Sequence, residues 1–267
     1  MPKIREDEQW VRRCLQAALP GVEVRPHDDG SQPNMHDFDL VRGGHRYAAM
    51  EVTAAADAES ISLWKSMTRG GRWIEAGLAG GWIVELLPTA RMKTVRTRLP
   101  PLLAQMERLS FRTLRDAQKD ARSQLASQAD RMGVVSAFQS PATEFPGSIY
   151  CLIKQPPEKA GGWEAPTGDA FAHWVSGWIG EPKQADNLAK LQRSGADERH
   201  LFVILPGHTV APFAAFDLLM RPAAPLPVTD PVLPREVTHL WAMSTWHAGD
   251  GFAWSPGAGW SRFQKIH

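Results

Sequence analysis

The chain reads as an α/β protein, a mixed central sheet flanked by helices, carrying a helical insertion and a tryptophan-rich C-terminal extension. Three observations predict this: an amphipathic helix opens the chain, a two-glycine connection joins two strand-like runs, and short apolar runs alternate with helical patterns afterwards. Its 267 residues are 43% hydrophobic and 22% charged, with 11 tryptophans, enough apolar surface for a substantial core. That length fits either one elaborated domain or two.

Residues 5–18 place Trp10, Val11, Cys14, Leu15 and Ala18 three and four apart, one apolar stripe on a helix that Pro20 and Gly21 end. Residues 22–25 alternate as a short strand, and a polar loop spans 26–34. Strands are then predicted over 36–42 and 45–53, joined at Gly43-Gly44, a pair suited to a tight hairpin. Residues 58–68 suggest a helix and 81–88 a buried strand stopped by Pro88. Segment 91–131 suggests one broken helix or two, interrupted at Pro100-Pro101.

Runs at 133–138 and 148–153 are expected to pair with each other, and 154–162 reads as a surface loop or boundary. Residues 169–193 form a helical pattern broken near Pro182, followed by a buried strand over 200–205. Prolines crowd 222–234, which should wrap the surface as extended chain. Residues 237–245 and 251–260 suggest a closing hairpin. These elements divide into a core over 1–90, a basic helical insertion and hairpin over 91–160, and a helix-strand completion with the C-terminal extension over 161–267.

Charge is balanced overall, 30 basic against 29 acidic residues, so global electrostatics argue for neither nucleic acid nor membrane. It is not balanced locally: 91–131 holds ten Arg or Lys against four Asp or Glu. Arg91, Arg98, Arg108, Arg112 and Arg115 lead a candidate phosphate-contacting face, beside the bland reading of a solvated helix surface. Two cysteines are too few for a thiolate zinc cluster, no apolar leader opens the chain, and no run is long enough to cross a bilayer; a soluble cytoplasmic protein with no membrane partner is the expectation. Phosphate-loop, nucleophile-elbow and H-E-x-x-H patterns are absent, which removes the common ATPase, α/β-hydrolase and zinc-protease readings.

The densest chemistry lies in Asp37-Phe38-Asp39 and Glu51-Val52-Thr53. Alternation puts Asp37 and Asp39 on one strand face and Glu51 and Thr53 on one face of the next, and a hairpin brings such faces together. Carboxylates beside Ala48, Ala49 and Met50 are costly to bury without a compensating positive charge. A divalent cation supplies one, and magnesium favours one or two carboxylates with waters and a phosphate. The bland alternative is a set of exposed polar positions on half-buried strands. His36, beside this cluster, is a candidate base or accessory ligand, and otherwise a surface histidine.

Helix, meander with an acid, acid-x-x triplet, helix and strand: over about residues 5–88 the chain resembles the PD-(D/E)xK nuclease superfamily. The resemblance implies a restriction-endonuclease-like fold, Mg²⁺ or Mn²⁺ held by Asp37 or Asp39 together with Glu51, help from Glu6 or Glu8 on the first helix, and DNA as substrate. It also implies a setting in restriction, defence or repair and leaves room for a homodimer. Thr53 stands where that family has its lysine, and Lys65 on the following helix is the candidate substitute. A non-catalytic module binding nucleic acid or protein on the same scaffold is the alternative.

A second cluster contains Gln184, Asn187, Lys190, Asp197, Glu198, Arg199 and His200. Lys190, Arg199 and His200 are candidate phosphate contacts, or the cluster serves a small metabolite; a helix stop and polar turn is the plainer reading. Tryptophans 163, 174, 178, 241, 246, 254 and 260 are mostly expected in the core, with Trp246 and His247 as the loop exceptions.

Overall fold

A computed structural model describes residues 5–69, 71–120, 124–141, 145–159, 161 and 166–266. Trp163 lies outside them. The chain forms two compact units, one from residues 1–56 with 157–267 and one from 57–156. Among the described residues, no helix is long and apolar enough to cross a membrane.

The first unit is built on a seven-stranded mixed sheet. Helix α1 (Glu6–Ala18) precedes strands β1 (Val22–Pro26), β2 (Phe38–Arg42) and β3 (His45–Ala54), which run antiparallel. Gly43 and Gly44 close the β2–β3 hairpin with φ of 56° and 81°, a left-handed pair that side-chain-bearing residues rarely adopt. Helices α6 (Asp169–Ile179) and α7 (Ala185–Arg193) then lead into β8 (Glu198–Leu205), parallel to β3. Strands β9 (His239–Ser244), β10 (Gly251–Ser255) and β11 (Gly259–Phe263) complete the order β1-β2-β3-β8-β9-β10-β11, with β8 and β9 parallel and the last three antiparallel.

The continuous apolar run in β8 follows from burial on both faces. Phe202 and Ile204 pack with Val11, Cys14 and Leu15 of α1, whereas Leu201, Val203 and Leu205 pack with Phe171, Val175, Ile179 and Leu191 of α6 and α7. Each such side chain contributes about 1.5–3 kcal/mol when fully buried.

The 57–156 unit holds α2 (Ala58–Thr68), β4 (Trp73–Ile74), β5 (Trp82–Leu86), α3 (Met92–Arg108), α4 (Leu114–Lys119), α5 (Leu125–Arg131), β6 (Val134–Gln139) and β7 (Ser148–Ile153), with strand order β4-β7-β5-β6. Val84, Leu86, Val134 and Ile149 face an apolar core formed with Val95, Leu99, Leu103 and Met106 of α3.

Three expectations change. The helix over 58–68 and strand over 81–88 belong to this second unit, and β3 is continued in the first unit by α6, α7 and β8; the boundaries drawn at 90 and 160 fall instead at 56 and 156. Strands β6 and β7 do not pair with each other, because β5 lies between them, antiparallel to β6 and parallel to β7. Helix α3 runs through Pro100 and Pro101. A proline inside a helix costs about 3 kcal/mol, and the buried stripe of Val95, Leu99, Leu102, Leu103 and Met106 on this helix offsets it.

The proline-rich segment after residue 222 has no regular structure, as expected, and Asp169 at the start of α6 ties it down. One carboxylate oxygen accepts the Val228 N–H at 2.8 Å and the Thr229 N–H and hydroxyl at 2.9 Å each; the other accepts the Thr167 hydroxyl at 3.0 Å. The Thr229 amide, with the remaining donors, holds this carboxyl down at about 2. A depressed carboxyl stabilises the fold above its unfolded value, near 3.8, and loses that contribution as pH falls through about 2. Asp169→Ala is therefore expected to lower the melting temperature at neutral pH, with the gap to wild type narrowing below about pH 4. Thermal melts across pH read this, and a pH-independent gap refutes it.

Candidate functional site

Glu51 and Thr53 share a face of β3, and the parallel pairing of β3 with β8 brings α7 over that face. On α7 the three-residue spacing of Asn187 and Lys190 aligns both side chains with the strand beneath. Lys190 Nζ lies 2.7 Å from Glu51 Oε1, and Asn187 Nδ2 donates to Thr53 Oγ1 at 3.1 Å and to Gln184 Oε1 at 3.0 Å. Asp37, immediately before β2, accepts the Val52 N–H at 2.6 Å on one carboxylate oxygen while its own N–H donates to the Met50 carbonyl at 3.1 Å. Carboxylate motif and α7 cluster, separate in the sequence, are one site.

Glu51 is 2% exposed, and its Oε2 is buried with no hydrogen-bond partner. Burial pushes its carboxyl up to about 8, Asp37's charge adds to the rise, and Lys190 opposes it. Burial likewise raises Asp37 to about 6, with the Val52 amide opposing and Glu8 adding to the rise. Burial pulls Lys190 down, but the hydrogen bond and charge of Glu51, with Asp37 and Asp28, more than compensate and hold the ammonium above its ordinary value. Arg5 is taken up by Glu8, its Nε 2.7 Å from that carboxylate. Two buried carboxyls thus face one nearby lysine, and one oxygen lacks any donor. Positive charge and donors therefore fall short of what two ionised carboxylates at this place would need.

Asp39 is not part of this pair. It accepts His36 Nε2 at 2.8 Å, His27 Nδ1 at 3.1 Å and Arg46 Nε at 2.7 Å. The expected shared face with Asp37 fails because β2 begins at Phe38, so strand alternation does not govern Asp37. His36 is buried rather than on the surface, and its ring stacks on His27 at 3.9 Å and 9°. Glu6 is exposed, whereas Glu8 is the first-helix acid whose charge reaches Asp37. Lys65 is exposed on α2 in the 57–156 unit; the ammonium on Glu51 is that of Lys190.

Two expected phosphate contacts are engaged elsewhere. The Arg199 guanidinium donates to the carbonyls of Ala196, Asp197, Arg235 and Glu236. His200 is buried, takes the Trp241 Nε1 hydrogen on Nδ1 at 3.0 Å and lies 3.1 Å from Glu198 through Nε2. Arg91, Arg98, Arg108, Arg112 and Arg115 are all exposed in the 57–156 unit. Trp178 and Trp241 are buried and Trp246 is exposed.

Among the described residues, two groups bring three ligand atoms within 4.8 Å of one another: His27, His36 and Asp39, and Glu198, His200 and His239. In the first, Arg46 already supplies the positive charge on Asp39, and the stacked rings hold their nitrogens side by side. In the second, the Trp241 N–H makes His200 Nδ1 an acceptor, so Nε2 carries the proton directed at Glu198. A metal on that Nε2 would require a proton on Nδ1, against the tryptophan N–H. None of the side-chain atoms of either group is buried without a hydrogen-bond partner, whereas Glu51 Oε2 is.

The chain matches no family model, no curated protein and no solved structure.

The raised carboxyls carry a definite sign. The folded protein keeps a proton on Glu51 that the unfolded chain releases near 4.5, so metal-free stability falls as pH rises from about 4.5 to about 8, with Asp37 adding a fall from 3.8 to about 6. Glu51→Gln is expected to gain melting temperature relative to wild type steadily across that range in EDTA. Parallel melting curves for the two proteins would exclude the buried-carboxyl account.

Proposed function

We propose that the protein is a metal-dependent nuclease, hydrolysing phosphodiester bonds in DNA on a restriction-endonuclease-like core related to the PD-(D/E)xK enzymes. The observation that carries this reading is the buried, partnerless Oε2 of Glu51, next to Asp37 and opposite a lysine on Oε1. The order of α1, the β1–β3 meander, α7 and β8 supports it, with the 57–156 unit inserted after β3. The exposed arginines of that unit support a polyanionic substrate.

Glu51 and Asp37 would hold Mg²⁺ or Mn²⁺, which when bound lowers the pKa of a water and neutralises charge on the phosphodiester. The remaining chemistry belongs to the chain. Lys190 fixes one Glu51 oxygen, leaving the other for the cation, and its remaining donors can orient an attacking water or meet the developing negative charge. Asn187 holds the Thr53 hydroxyl, setting the α7 turn that carries Lys190 against β3. On this reading Thr53 positions the helix, and the ammonium that the nuclease triplet lacks comes from α7. A role in restriction, defence or repair follows from the resemblance alone.

Plasmid incubated with Mg²⁺ or Mn²⁺ is expected to be cut, and EDTA to stop it. Glu51→Gln, Asp37→Asn and Lys190→Ala are each expected to lower the rate about a hundredfold or more. Because the metal takes ionised carboxylates, the wild-type rate should climb between about pH 6 and 8, where Asp37 and Glu51 lose their protons. Ca²⁺ at a hundred times its dissociation constant should raise the melting temperature by about 5 °C, an increment absent in Glu51→Gln. DNA binding without cleavage, equal in wild type and Glu51→Gln, would instead establish a non-catalytic binding module.

A further inference from the structure

One face of the β4-β7-β5-β6 sheet packs on α3 and its neighbours; the other carries apolar side chains into solvent. In β7, Ile149 and Ile153 point to the core, while Tyr150 is 60% exposed and Leu152 also points out. Cross-strand pairing sets Tyr150 of β7, Ile83 of β5 and Phe138 of β6 in one row, and Phe138 is exposed too. Two strand spacings separate the aromatic rings of that row, roughly 10 Å. Exposed apolar patches of this kind mark binding surfaces.

Arg72 borders the row. Its guanidinium lies 4.8 Å from the centre of the Phe145 ring and donates to Ser148 Oγ at 2.7 Å. Clefts of about 300 Å³ and 290 Å³ both have Arg72 and Tyr150 in their walls, the first with Phe145 and Ile83, the second with Trp64 and Trp73. The acid on this face, Glu85, is 3.5 Å from Lys154. The unit as a whole has 14 Arg or Lys against 9 Asp or Glu, although the entire chain has only 30 against 29. Ten of the 14 lie in 91–131, where α3 packs on the other face of the sheet, so the cation beside this aromatic row is Arg72.

We propose that this open sheet face binds single-stranded nucleic acid, with bases stacking on Tyr150 and Phe138 and the phosphate backbone met by Arg72. Flat rings accept any base face, and a guanidinium beside them meets the phosphate, the combination used in sequence-tolerant single-strand binding. A second copy of this chain or a protein partner would find the same apolar row, but only a ligand that pairs flat rings with an anion uses both the rings and the Arg72 guanidinium set among them. The choice of ligand class rests on the nuclease reading; the site itself does not.

The test is fluorescence anisotropy of the full chain with a short labelled oligothymidylate and with a blunt duplex, in EDTA so that nothing is cut. Wild type is expected to prefer the single strand. Tyr150→Ala and Phe138→Ala should each weaken it about tenfold, Tyr150→Phe should retain wild-type affinity, and Arg72→Ala should reduce the salt slope by about one. All three side chains are exposed, and unchanged melting temperatures establish that the variants fold.

Absence of single-strand binding, or equal binding by the alanine variants, overturns the proposal. So does a wild-type dimer in light scattering that Tyr150→Ala converts to monomer, which would make the face an interface between copies. Stacking-dependent binding without metal-dependent cleavage sinks the catalytic reading and leaves this one standing; cleavage with unchanged binding in the variants does the reverse.

Discussion

A carboxylate inside a protein core is the constraint around which the first unit is arranged. Taking an ionised group out of water costs several kcal/mol even after relaxation, and Glu51 on β3 lies under a helix with almost no solvent contact. A salt bridge alone does not repay that cost, since an apolar pair of similar volume commonly packs as well or better. The neighbourhood of Glu51 is also incompletely compensated: Lys190 meets one oxygen, Asp37 adds a like charge, and Oε2 has no donor. Half-buried Asp39, by contrast, meets two histidines and an arginine across its two oxygens.

Contrast between the two acids separates a satisfied network from an incompletely satisfied one on the same hairpin. Asp39 sits among donors that match its lone pairs, so adding a cation would displace bonds already made. Burial raises both Asp37 and Glu51, with Glu8 adding to the rise at Asp37 and Asp37 adding to it at Glu51, so these two acids are not matched by donors as Asp39 is. The same logic separates Glu51 from the Glu198, His200 and His239 group, where Trp241 settles the proton positions. Proximity of ligand-type atoms is a poor guide by itself; the balance of donors against acceptors discriminates.

Much of the fold was legible because it is local. The apolar stripe of α1, the Gly43-Gly44 hairpin, the break at Pro182 and the β8 run are written in spacings of two, three and four residues. Asp37, Glu51 and Lys190 were likewise visible as candidate residues. Their union was not, because it depends on β3 pairing with β8 across more than a hundred intervening residues, and no periodicity encodes a partner strand. Lys65 drew attention by following the triplet closely in the chain, whereas Lys190 follows it in space. The same limit hid β5 between β6 and β7, since adjacent strand patterns favour a direct pairing that the sheet does not use. Pro100-Pro101 misled for a different reason: the local cost is real, and a buried helix face outweighs it.

The position of the 57–156 unit also bears on how a site can survive such an insertion. Closing a longer loop costs only about 0.6 kcal/mol for each doubling of its length, so the thermodynamic burden of some hundred residues is small if the flanking backbone is anchored. Here it is. Ala55 donates its N–H to Ile204 at 2.8 Å, and its carbonyl accepts the Thr209 hydroxyl at 2.6 Å and the Val210 N–H at 3.0 Å. These bonds hold the end of β3 against β8 and the segment that follows it, two residues beyond Thr53. The strand carrying Glu51 is therefore fixed by its own unit, independently of what is inserted after it, and the inserted unit is free to acquire a binding surface of its own.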